Sequence, residues 1–197
     1  MKLILATKNK GKVKEIREFF KGIKIELVSL NDFPEIEDIP ETGSTFEENA
    51  WLKAKAVFDR LQICALADDS GLEVDYLNGR PGVYSARYSG ENATDESNRK
   101  KLLHELANVA EHNRTARFIC VMVLYDGIKK NIFRGICEGT IIEEERGTDG
   151  FGYDPLFVPE GFDKTFAELD IETKNIISHR GKALLKAKQY IKEHHLC

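Results

Sequence analysis

The stretch Arg117-Phe118-Ile119-Cys120-Val121-Met122-Val123-Leu124-Tyr125 carries β-branched and aromatic residues on both of its alternations. Successive side chains of a strand point to opposite faces, so a strand that is apolar on both lies inside a sheet covered on both sides. Asp126-Gly127 then turns the chain into Asn131 to Ile142, which predicts a long hairpin at the sheet centre. The fold class that satisfies this constraint is α/β: an elongated mixed central sheet with helices on both sides.

The remaining pattern supplies those helices and further strands. Lys2 to Ala6 is a short β-rich run, followed by a polar turn and a helix with Val13, Ile16, Phe19 and Phe20 at helical spacing. Lys24 to Val28 alternates as a half-buried strand, whereas Asn31 to Gly43 holds two prolines and five acids without periodicity and reads as a functional or mobile loop. Ser44 with Glu47 is a capping-box signature for a helix that uses Phe46, Ala50, Ala54, Val57, Phe58 and Leu61, with Glu47, Glu48, Lys53 and Lys55 mostly off the apolar stripe. Ile63 to Ala67 is a short buried strand ending at Asp68-Asp69, and Leu72 to Leu77 is a second extended piece. After the turn at Asn78 to Gly82, Thr94 caps a helix using Leu102, Leu103, Leu106 and Val109. Gly147 to Gly161 is glycine-rich, and a final helix runs from about His179 to His194. With 197 residues and neither repeat nor linker, residues 1–197 are expected to form one domain built as two lobes around a shared cleft.

Composition removes several function classes. No window approaches the roughly 18 apolar residues of a membrane span, and Met1 to Ala6 is too short for a signal-peptide core, so a soluble cytoplasmic protein is expected. Cys64, Cys120, Cys137 and Cys197 form no C-x-x-C pair and read as reduced core thiols. A net charge of -4 argues against wrapping nucleic acid, which needs many phosphate-neutralising cations, but leaves room for one locally basic pocket.

Chemistry-bearing residues concentrate in a few places. Thr7-Lys8-Asn9-Lys10-Gly11-Lys12 joins the first strand to the first helix, where free N–H groups and the helix dipole favour an anion, although the spacing is not that of a Walker loop and a solvated basic turn would look similar. Alternation sends Asp68 and Asp69 to opposite faces, one toward a cleft and one to anchor the loop. Acids so placed suit Mg²⁺, which combines one or two carboxylates with water and substrate oxygens, while an Asp-rich turn is the plainer alternative. Lys53 alone reads as a solvated helical lysine. Phe151-Gly152-Tyr153-Asp154-Pro155 offers aromatics for a flat base and a carboxylate for a hydroxyl, or simple packing. Ser178-His179-Arg180, with Lys174 upstream, places donors at a helix start, where the dipole disfavours cations and a ligand would explain them. His104, His112, His194 and His195 are given no role, the last two as a fraying tail.

Taken together, T-K-N-K-G-K, E-E-N-A-W-L-K-A-K-A, A-D-D-S-G-L-E-V-D, R-P-G-V-Y-S-A-R-Y-S-G, G-F-G-Y-D-P and S-H-R-G-K-A-L resemble, in order and over nearly the whole chain, the inosine/xanthosine triphosphate pyrophosphatase family. The resemblance implies Mg²⁺-dependent hydrolysis of ITP, dITP and XTP to monophosphate and pyrophosphate, a cleansing of the nucleotide pool, in a homodimer. It implies Asp69 as catalytic base and, with Glu41, as metal ligand. Thr7, Lys8, Asn9, Lys10, Gly11, Lys12 and Lys53 would hold the triphosphate, and Ser70 would touch the nucleotide. Phe151, Gly152, Tyr153 and Asp154 would meet base and ribose, with Lys174, His179 and Arg180 reading the base. Lys8 departs from the glycine that many relatives carry. Donors from His179 or Arg180 would suit a 6-keto oxygen and be left unpaired by adenine. A pyrophosphatase for modified pyrimidine triphosphates, or a non-catalytic nucleotide sensor, are the alternatives.

Overall fold

A computed structural model describes residues 2–194, leaving His195 and Cys197 outside the described part. In chain order it contains β1 (Lys2–Leu5), α1 (Lys10–Phe19), β2 (Glu26–Ser29), α2 (Phe46–Leu61), β3 (Ala65–Val74), α3 (Asp95–Glu105), β4 (Thr115–Tyr125), β5 (Lys130–Ile141), β6 (Phe157–Pro159), α4 (Ile171–Ile177) and α5 (His179–His194). The strands form one sheet in the order β2-β1-β3-β4-β5-β6, so the hairpin strand with two apolar faces does lie inside it. The sheet is mixed: β1 runs parallel to both β2 and β3, and β6 runs antiparallel to β5. Among the described residues no helix is long and apolar enough to cross a membrane.

Two compact units divide the chain. The first is drawn from Met1–Asp69, Cys120–Gly135 and Arg180–Cys197, the second from Ser70–Ile119 and Ile136–His179. In the first unit strand parity sorts the core. Leu3, Leu5, Leu66, Cys120, Met122 and Leu124 pack with Val13 and Ile16 of α1 and with Ala183, Leu184 and Ala187 of α5. Their neighbours Ile4, Ala6, Ala65, Ala67 and Val123 pack with Ala50, Ala54 and Val57 of α2. Burying one large aliphatic side chain contributes about 1.5–3 kcal/mol, against about 0–1 for an exposed ion pair, so these apolar residues fix the register of β3 for whatever polar groups follow it. The second unit is centred on Leu72, Val74, Leu102, Leu106, Phe118, Phe157 and Phe166, with Phe118 edge-on to Phe157 at 4.8 Å.

Several local expectations are corrected. The cap of α2 is Thr45 with Glu48, one residue later than Ser44 with Glu47: Thr45 Oγ1 accepts from the Glu48 N–H at 3.1 Å, and the Glu48 carboxylate accepts from the Thr45 N–H at 3.2 Å. Ser44 instead adds its own N–H and hydroxyl to that carboxylate, and Glu47 pairs with Lys130. The two extended pieces on either side of Asp68-Asp69-Ser70-Gly71 are one strand, β3, which ends in a short 3-10 turn at Asp75–Leu77. Helix α3 starts after Thr94 as expected but stops at Glu105, and Val109 is buried from the loop beyond it. The loop 31–43 is anchored, with Ile36 buried and the Gly43 N–H donated to Asn49 at 2.8 Å. Cys64, Cys120 and Cys137 are buried free thiols, and burial beside Asp68 pushes the Cys120 thiol up to about 12.

Candidate active site

The acid pair sits in mid-strand, yet the parallel pairing of β3 with β1 stops at Leu66, so Asp68 and Asp69 lie just past the C-terminal end of β1. That edge of a parallel sheet is where α/β proteins place their ligands. Parity inherited from Leu66 and Ala67 sends the two acids to opposite faces. Asp68 joins the α1 and α5 side: its Oδ2 lies 2.9 Å from Lys12 Nζ and 3.7 Å from Arg180 Nε. Burial works against its charge, but Lys12, Arg180 and Lys53 outweigh burial and hold the carboxyl well below the usual range. Arg180 also donates to Glu15 at 2.5 Å.

Asp69 joins the α2 side. Asn49 donates to its Oδ2 at 3.0 Å, Lys53 Nζ lies 3.8 Å from its Oδ1, and the same ammonium is bonded to Glu41. Burial above all pushes Asp69 up to about 6; the Glu41 charge adds to this and Lys53 opposes it. Lys53 is itself buried, yet kept charged by the surrounding Asp68, Asp69 and Glu41. The expectation that Lys53 lies off the apolar stripe of α2 is therefore corrected. It follows Asn49 and Ala50 by one turn, on the buried side, because its charge has partners that only the fold supplies. Glu41 and Asp69 offer hard oxygen donors that repel one another across a single ammonium, a donor set that fits Mg²⁺. Among the described residues no group of three or more His, Cys, Asp or Glu side chains is placed to hold a metal ion.

The basic turn leads into α1 as its sequence suggests. Asn9 is the N-cap, accepting from the Lys12 N–H at 3.0 Å, and its own N–H is donated to Thr7 Oγ1 at 3.2 Å. Lys10 and Gly11 occupy the first turn, whose N–H groups have no partner within a helix. Lys8 forms an ion pair with the exposed Asp38 at 3.2 Å.

In the second unit Asp154 is buried and accepts from Lys174 Nζ at 2.8 Å and from the Phe151 N–H at 2.9 Å. Lys174 lies 5.6 Å from the centre of the Phe151 ring. Gly150 approaches so closely that a Cβ there would meet Asp154 Oδ2 at 2.2 Å. His179 stacks on Phe118 at 4.7 Å and 11°, which fixes its ring plane. One reading of the loop changes. Tyr153 is buried with its hydroxyl donated to the Ser85 carbonyl at 2.9 Å, so Phe151, half-buried, is the aromatic left with an accessible ring. The Asp154 carboxylate holds Lys174 and the Phe151 N–H. Ser70, next along β3 from Asp69, is half-buried.

Arg180, expected beside Lys174 and His179 at the base, is buried with two acids of its own. It belongs to the first unit, where Glu15 and Asp68 compensate the buried cation that the helix dipole disfavours. Asn49 escaped notice in the sequence although a signal was present: an Asn one helical turn before Lys53, on a stripe otherwise made of Phe46, Ala50, Ala54 and Val57, is a buried polar group that needs a partner.

The chain is similar to known proteins over nearly its whole length. A family profile described as the Ham1 family matches residues 3–190. A protein of Oceanobacillus iheyensis named dITP/XTP pyrophosphatase is 51% identical over 192 residues, covering 96% of this chain and 98% of that protein. A solved HAM1 protein from Coxiella burnetii superposes with a TM-score of 0.89 at 41% identity, over 98% of this chain and 99% of that one. The Staphylococcus aureus Ham1 structure gives 0.87 at 40% identity, again over 98% and 99%.

Proposed function

The chain belongs to the Ham1 family, and on that premise we propose that it is a nucleoside-triphosphate pyrophosphatase that removes deaminated purine nucleotides, dITP, ITP and XTP, from the nucleotide pool. The observation that carries the reading is the pairing of Asp69 with Glu41 around the Lys53 ammonium, with Asn49 orienting Asp69. In this reading Lys53 and the basic turn Thr7 to Lys12 hold the triphosphate. Asp69, with its pKa at about 6, is deprotonated at neutral pH and orients a water for in-line attack on the α-phosphorus. A P–O bond forms to that water, the bond to the bridging oxygen breaks, and pyrophosphate leaves with the nucleoside monophosphate as the other product. Magnesium bound by Glu41 and Asp69 would withdraw charge from the phosphate oxygens.

Base choice falls to the second unit. Phe151 offers a ring for stacking, and Lys174, oriented by Asp154, is a donor suited to a 6-keto oxygen. Adenine presents an amino donor there, so donor would face donor and the hydrogen bond to the base would not form. Arg180, committed to Glu15 and Asp68, keeps the Lys12 side of the site in place. The protein assembles as a homodimer, which light scattering at the column peak tests.

The decisive measurement is a substrate screen with pyrophosphate and monophosphate as readouts, run with ITP, dITP, XTP, GTP, ATP, dUTP and a 5-methylated pyrimidine triphosphate. The deaminated purines are expected to turn over at least about 100-fold better than ATP, with activity lost to a chelator and restored by Mg²⁺. Release of single phosphate, or a preference for the methylated pyrimidine, would overturn the reading.

A further inference from the structure

Helix α3 lies outside the residues assigned to chemistry above, yet it grips the base-facing loop at one residue. The Gly152 N–H is donated to Asp95 Oδ2 at 2.7 Å, and the Gly152 carbonyl accepts from Arg99 Nη1 at 2.9 Å. Asp95 and Arg99 are one helical turn apart, so they present a carboxylate and a guanidinium side by side, matched to the N–H and the carbonyl of one residue. Both bonds are charge-assisted, the stronger kind. Arg99 Nε lies 2.9 Å from Glu145 as well, so the same guanidinium spans the loop from residue 145 to residue 152.

What is held is a point that glycine adopts readily and other residues do not. Gly152 has φ +62, in the left-handed region, and its neighbours are the half-buried Phe151 and the buried Tyr153. On the same helix Asn98 accepts from the Ser89 N–H at 2.7 Å and donates to the carbonyls of Ser85 and Ala86 at 3.3 and 3.1 Å. Ser85 is also the acceptor for the Tyr153 hydroxyl. One face of α3 thus ties down both the 151–153 segment and the carbonyl on which Tyr153 rests. A loop that served only as a surface connection would not need a charged bond to both backbone groups of one residue, because those groups could be satisfied by water.

We propose that Asp95 and Arg99 are positioning residues for purine recognition, clamping the Gly152 backbone so that the Phe151 ring and the Lys174 ammonium are held ready for the base. The inference rests on the reading that Phe151 meets the base. Because the clamp touches the recognition half of the reaction, its loss weakens substrate binding and leaves the chemical step nearly intact, the pattern of uniform binding lost.

The test is steady-state kinetics on full-length protein with ITP for Asp95→Asn, Arg99→Met, Arg99→Lys, Phe151→Ala and the Phe151→Ala/Arg99→Met double variant. Arg99→Met and Asp95→Asn are expected to raise KM about tenfold with kcat changed less than threefold. Arg99→Lys should recover part of that loss. In the Phe151→Ala background Arg99→Met should add little, since the clamp then has no ring to orient. Should Arg99→Met fail to fold, the exposed Asp95→Asn carries the same comparison. An unchanged KM in both clamp variants while Phe151→Ala raises it would overturn the clamp alone. An unchanged KM in Phe151→Ala would overturn the base-site reading beneath it, and full additivity in the double variant would make the clamp merely structural.

Discussion

The two faces of β3 carry neighbouring, chemically identical acids in opposite electrostatic situations. On one face Asp68 and Glu15 meet Lys12 and Arg180, so two negative charges face two positive ones. On the other face Asp69 and Glu41 share Lys53. The first set is closed and holds α1 and α5 to the strand. The second sets two acids beside one ammonium, an arrangement of hard oxygen donors that a divalent cation would fit. Burial affects both acids; the compensation around each decides whether it is depressed or raised.

The widest break in this comparison should come from Asp69→Asn. Turnover of ITP is expected to fall by about 10³-fold or more, while the protein at pH 8 becomes equally or slightly more stable, because a buried repulsive charge has been removed. Activity within tenfold of the parent would sink the assignment. Asp68→Asn is expected to do the reverse. It leaves Arg180 and Lys12 undercompensated in the interior, costing about 3 kcal/mol and lowering the melting temperature by about 10 °C. Thermal unfolding of the two variants side by side decides whether the faces differ as described.

A smaller effect is expected from Asn49→Ala, which frees Asp69 to rotate and removes the acceptor for Gly43 in the loop that carries Glu41. A kcat reduced about tenfold with KM little changed is the expected result, roughly 1.4 kcal/mol of lost orientation. The finest test is titration. In metal-free protein the Asp69 carboxyl should titrate near 6 by carbon NMR, and Glu41→Gln should move it down toward its ordinary value, since the Glu41 charge helps to raise it. The sign for stability follows: a carboxyl raised in the folded state favours folding while protonated, so its contribution is lost as pH rises from about 4 to 6. Asp68, depressed when folded, contributes above its unfolded value and loses that contribution as pH falls. A common titration for both acids would abolish the distinction.

Much of this was legible from the sequence where short-range rules decide. The two-sided apolar pattern of residues 117–125 located the sheet interior, and Thr94 marked the start of α3. Parity alone stated that Asp68 and Asp69 part company. Less was legible where a residue's state depends on partners far along the chain. Lys53 reads as a surface lysine until Glu41 and Asp69 surround it, and Arg180 reads as a ligand-seeking cation until Glu15, distant in sequence, neutralises it. The cap of α2 slipped by one residue because Ser44 and Thr45 both satisfy the pattern, and three donors converging on Glu48 settle it. Asp95 and Arg99 gave no signal, since an acid and a base one turn apart on a helix ordinarily describe a solvated face.

The register of β3 acts like a reading frame. Loss or gain of a single residue between Ala65 and Asp69 would leave the composition nearly intact, yet exchange the faces of everything downstream. The acid needed beside Lys53 would then lie against Arg180. A two-residue change would restore the faces and shift only the position along the strand. In this segment, length variation in steps of two is therefore tolerable where a step of one is not, and the order of two identical letters carries information that their presence does not.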